Sequence, residues 1–102
     1  MRLFDLLIKE FISIVEMLLQ NHPVENDRII IDREEFKQYL EKYAYMSFQG
    51  KTKAYKALNF IIHDKNNYTM PYKDTALKKT VRKVIINFST YKIVKELHET
   101  NF

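Results

Sequence analysis

The chain is 102 residues long, with 46% hydrophobic residues, one glycine, two prolines and no cysteine. That is the size of one domain, with little room for linkers, and it excludes disulfides, thiolate metal sites and thiol nucleophiles. The net charge of +4 is unevenly placed: residues 51–95 hold eleven Lys/Arg against two acids, Asp64 and Asp74, whereas residues 1–50 hold six against nine. A neutral-to-acidic half joined to a strongly basic half points to a scaffold carrying a polyanion-binding face. Nucleic acid is the default polyanion, because cations that displace phosphate counterions supply most of its sequence-independent affinity.

Leu3–Gln20 predicts a helix whose polar positions, Asp5, Lys9, Ser13, Glu16 and Gln20, make one narrow stripe. The rest of its circumference is apolar and needs cover on more than one side. Either a second subunit supplies that cover, which makes Phe4, Leu7, Phe11, Ile14 and Leu18 a dimer interface, or the helix is central in its own fold. No apolar run approaches the roughly 20 residues of a membrane span, and the N-terminus does not read as a signal peptide, so the expected location is cytoplasmic, away from membranes.

Arg28–Ile31 is β-branched and predicts a short strand. Asp32 offers an N-cap with Glu35 three residues on, close to a capping box, before a helix with Phe36, Tyr39, Leu40 and Tyr43 on one face. After Ser47-Phe48-Gln49-Gly50 a third helix is expected from about Lys51 to His63. Its buried face is Ala54, Leu58, Ile61 and Ile62, and its opposite stripe is Thr52, Lys56, Asn59 and His63. Asp64–Asn67 reads as a turn. Tyr68–Tyr72 and Thr80–Phe88 predict two strands around a basic connection, the first of them an edge strand because Pro71 has no N–H for a ladder bond. Leu77, Val81, Val84 and Ile85 also have helical spacing, so a helix over 74–86 competes with this hairpin. Ser89 is positioned to cap a last helix with Tyr91, Val94 and Leu97 inward.

The expected fold class is therefore α+β in a single domain over 1–102. The order helix, short strand, helix, turn, helix, strand, basic loop, strand, helix resembles a winged helix-turn-helix domain over essentially the whole chain. The resemblance implies a recognition helix at Lys51–His63 for the major groove and a wing at Tyr72–Arg82 for the backbone or minor groove. The candidate DNA-binding residues are then Gln49, Lys51, Thr52, Lys53, Lys56 and Asn59 on the helix, and Lys73, Thr75, Lys78, Lys79 and Arg82 on the wing. Lysines suit phosphates, Asn and Gln suit adenine edges, and Arg82, the only arginine of the basic half, suits a narrow minor groove or a guanine edge. Tyr68 and Tyr72 are able to stack on exposed bases, although half-buried strand tyrosines are commoner.

Within that class the chain is similar to the small winged-helix accessory proteins of clostridial conjugative plasmids. That likeness implies a homodimer on repeated double-stranded DNA sites at an origin of transfer, working with a relaxase or other relaxosome proteins. A plasmid or phage transcriptional repressor, or a protein-interaction or inhibitor module, are the alternatives. His22, His63 and His98 lie far apart, no nucleophile–base pair is visible, and Gly50-Lys51-Thr52 lacks the upstream glycine of a phosphate loop. The chain is accordingly expected to be no enzyme and to need no cofactor or metal.

Overall fold

A computed structural model describes residues 2–100, which form an α+β domain of four helices and a four-stranded antiparallel sheet. In chain order these are α1 (Leu3–Leu18), β1 (Arg28–Ile31), α2 (Arg33–Leu40), α3 (Phe48–Ala57), β2 (Ile61–Ile62), β3 (Met70–Asp74), β4 (Lys79–Asn87) and α4 (Phe88–Thr100). β4 is the central strand. It pairs with β1 along Val84–Asn87, with β2 at Ile85 and Ile86, and with β3 along Lys79–Lys83.

The alternation of strand side chains sends Ile29, Ile31, Val84 and Ile86 to one face of the sheet, where all four are buried in the core. Above them sits an aromatic cluster. Phe11 of α1 stacks on Phe60 with ring centroids 4.0 Å apart, and Tyr55 of α3 meets Phe11, Phe36 and Phe60 edge-on. Most of the apolar circumference of α1 is thus covered within one chain, with Leu3, Phe4 and Met17 left exposed. Leu7, Phe11, Ile14 and Leu18 are core residues, and of the expected dimer surface only Phe4 remains exposed, at 52%. The second cover comes from the chain itself, since α4 packs on α1. There Tyr91 is buried, and its hydroxyl and the Lys95 ammonium both reach Glu16.

Several element ends differ from the sequence expectation, each for a local reason. α3 stops at Ala57, not His63. Asn59 adopts a left-handed conformation (φ 57°), its N–H bonds the Lys56 carbonyl, and the Phe60 N–H bonds the Tyr55 carbonyl, a Schellman cap built on asparagine instead of glycine. Ile61 and Ile62 are therefore strand residues, not part of the helix's buried face. The hairpin, not the competing helix, occupies 74–86. Asp74 Oδ1 accepts the Leu77 N–H at its turn, and Lys78 takes the left-handed position with φ 54°. Among the described residues β3 pairs with β4 alone, the edge position expected from Pro71.

The Asp32–Glu35 capping box does not form, because both carboxylates are engaged elsewhere: Asp32 with Lys83 and Glu35 with His22 at 3.0 Å. Asn87, two residues ahead of the expected Ser89, caps α4 by accepting the Thr90 N–H. Leu97, expected inward, is 57% exposed beside the equally open Ile93.

Candidate nucleic-acid interface

The two helices α2 and α3 are joined by residues 41–47, and that connection is organised by a buried lysine. Ser47 caps α3 by accepting the Gly50 N–H at 3.0 Å. A side chain at Gly50 would come within 2.9 Å of Met46 Cγ, so the connection packs directly against the first turn of α3. From that turn Lys51 points inward. Its ammonium donates to the carbonyls of Leu40 and Tyr43, at the C-terminal end of α2, and to Glu10 Oε2 of α1 at 2.6 Å. Glu10 Oε1 in turn accepts from the hydroxyls of Tyr45 and Tyr55. All three donors of the ammonium are used. Burial and the neighbouring Glu10 push both phenols well above the usual tyrosine range.

Lys51 is consequently no phosphate contact: it is fully buried, and a charge there is tolerated only because Glu10 neutralises it. Thr52 is buried too, its hydroxyl turned back to the Gln49 carbonyl. Gln49 and Lys53 remain exposed on α3 and Lys56 is half-buried, while Asn59 is exposed in the cap, off the helix. On the hairpin Lys73, Thr75, Lys78 and Lys79 are all exposed. Arg82 is not free to read a base. Its guanidinium donates to Thr69 Oγ1, to the Thr69 carbonyl and to Asp64, at 2.8, 2.7 and 2.6 Å.

The distribution of charge pairing is more informative than the distribution of charge. Of the eleven cations in 51–95, five are held by acids: Lys51 by Glu10, Arg82 by Asp64, Lys83 by Asp32, Lys92 by Asp27 and Lys95 by Glu16. The six without an acidic partner among the described residues are Lys53 and Lys56 on α3, Lys65 in the 63–69 loop, and Lys73, Lys78 and Lys79 on the hairpin. Lys65 is absent from the sequence-derived set because Asp64–Asn67 reads only as a turn; its signal is an exposed cation beside two asparagines.

Two modest concavities lie on the described surface. A groove of about 370 Å³ lies between residues 23–30 and the hairpin, lined by both signs of charge, including Glu25, Arg28, Asp74 and Lys83. A more apolar one of about 310 Å³ lies over Glu10 between α1 and Tyr43 and Tyr45. Among the described residues no cluster of His, Asp or Glu is arranged to hold a metal ion, and no helix is long and apolar enough to cross a membrane. The chain matches no known protein-family model, and no curated protein matches it in sequence.

Proposed function

We propose that this protein is a non-catalytic, sequence-specific binder of double-stranded DNA, a winged helix-turn-helix domain with α3 as recognition helix and the β3–β4 hairpin as wing. The observation that carries this reading is the placement of the six lysines without acidic partners. They fall on α3, on the 63–69 loop and on the hairpin, whereas the other five cations of the basic half are neutralised by acids. An ammonium already held by a carboxylate gains little from a phosphate, and an unheld one releases a counterion. The element order supports the class: a helix, a strand, two helices joined by a short connection, a short strand, an exposed hairpin and a last helix.

The reading extends to a homodimer on repeated sites at a conjugative origin of transfer, with a relaxase or other relaxosome proteins as further partners. Such a dimer is built on surface residues, of which Phe4 is the one remaining from the expected set, and not on the buried face of α1.

Fluorescence anisotropy with duplexes from the DNA flanking the gene tests the proposal. With six lysines on phosphates, log K falls with log salt at a slope of roughly −5. A slope near zero removes the proposal. A preferred site within a promoter, with no repeats at a transfer origin, retains DNA binding and replaces the transfer role by repression.

A further inference from the structure

β2 and β3 take nearly consecutive positions along β4, Ile62 opposite Ile85 and Met70 opposite Lys83. Residues 63–69 leave the sheet between these positions and return to it. Arg82 secures both ends of the excursion, Asp64 near its start and Thr69 at its close, through the three hydrogen bonds given above; Thr69 itself is buried. Tyr68 adds an anchor. It stacks on Phe36 of α2 with centroids 6.0 Å apart, and meets Phe48, the first residue of α3, edge-on at 5.7 Å. The loop is therefore tied to the hairpin strand by Arg82 and to the start of α3 by Tyr68. Between those anchors Lys65, Asn66 and Asn67 are exposed, and their side chains have no partner among the described residues.

We propose that the tip Lys65-Asn66-Asn67 is a third DNA-contacting element, and that Arg82 is its positioning residue. The proposal rests on the DNA-binding reading above. Lys65 supplies a phosphate contact, and the two carboxamides supply paired donor and acceptor groups suited to an adenine edge. A tip pinned at both ends loses little conformational freedom on binding, unlike an untethered asparagine loop. With Nε and Nη2 committed to Thr69 and Asp64, Arg82 keeps no free fork for a base. Its planar geometry serves the loop instead, a task the point charge of a lysine performs poorly.

The test uses two probes, a random-sequence duplex and the duplex that the wild type enriches from a random pool. Lys65→Ala weakens both alike and reduces the magnitude of the salt slope by about one. The Asn66→Ala/Asn67→Ala double variant leaves the slope unchanged and lowers the preference for the enriched duplex by at least about fivefold. Arg82→Lys, which keeps the charge, loses that preference to a similar extent without changing the slope. Thermal melting monitors its fold, and the surface tip variants stand as the deciding pair if Arg82→Lys does not fold. Wild-type slope and wild-type preference in both tip variants, with Lys73→Ala/Lys78→Ala impaired, overturn the third element alone. Failure of the wild type to bind either duplex overturns the DNA-binding reading and this inference together.

Discussion

Lys51 and Glu10, 41 residues apart in sequence, form an ion pair at 2.6 Å with both side chains essentially out of solvent. The pair joins α1 to α3, and through the Leu40 and Tyr43 carbonyls it also fixes the end of α2. Removing one member leaves the other charge buried and uncompensated, which typically costs about 3–5 kcal/mol. Lys51→Met and Glu10→Gln are each expected to destabilise by an amount of this order in urea unfolding, while Lys53→Met, on the exposed face of the same helix, stays within about 0.5 kcal/mol of wild type. A small loss in Lys51→Met would show that the lysine is not buried in solution.

The same network sets the alkaline behaviour. Desolvation, and then Glu10, raise the Tyr45 and Tyr55 phenols above the ordinary value of 10. A group whose folded pKa is raised contributes stability that is complete below the unfolded pKa and is lost as pH climbs past it. The urea midpoint is therefore expected to hold up to about pH 9 and to fall above pH 10, where unfolded tyrosines ionise and these two do not. Tyr45→Phe flattens that fall. In a spectrophotometric titration it also removes one late-ionising phenol, and an unchanged titration would place Tyr45 outside the network.

These features account for what was and was not legible in the sequence. β1 was legible from its β-branched run Ile29–Ile31. The hairpin was legible in part, from the Val and Ile content of 80–88 after a polar turn, while the helical spacing of Leu77, Val81, Val84 and Ile85 kept a helix in competition with it. The end of α3 was not: Ile61 and Ile62 continue a helical spacing, and the left-handed cap falls on Asn59, a residue type that only tolerates that conformation. Lys51 reads as one more surface cation, since nothing local announces an acid on α1. Arg82 misleads for the same reason, its partners Asp64 and Thr69 becoming neighbours only when the loop folds back. The apolar face of α1 correctly announced a missing cover, but α4, 70 or more residues away, supplies it in place of a second subunit. For α1, Lys51 and Arg82 the missed partner is distant in sequence, and residue type alone carries no address.

Farther along α1, Glu16 holds α4. The hydrogen bond from Lys95, aided by Tyr91, keeps its carboxyl below the usual range despite some desolvation. A depressed carboxylate contributes stability above its unfolded pKa and loses it as pH falls through the folded value. Amide exchange in α4 is accordingly expected to quicken, relative to α2, as pH drops below about 4.5. Glu16→Gln makes that difference independent of pH. Equal acceleration of the two helices in the wild type would mean that α4 is held by Tyr91 packing and not by charge.

The hairpin is expected to contribute more to DNA affinity than α3. It carries three lysines without acidic partners, Lys73, Lys78 and Lys79, against two on the helix, Lys53 and Lys56, the latter half-buried. With about 0.9 released counterions per phosphate contact, Lys73→Ala/Lys78→Ala/Lys79→Ala lowers the magnitude of the salt slope by roughly 2.7 and Lys53→Ala/Lys56→Ala by roughly 1.8. Both sets weaken random and preferred duplexes in parallel, because phosphate contacts fix register without reading sequence. Gln49→Ala on α3 behaves differently if the helix enters a groove, costing about 1–3 kcal/mol on the preferred duplex alone. The two slopes separate the elements without a complex structure. A wild-type slope in the hairpin triple variant, with a reduced one in the helix double variant, would leave the hairpin as a stabilising flap of the sheet and α3 as the sole contact.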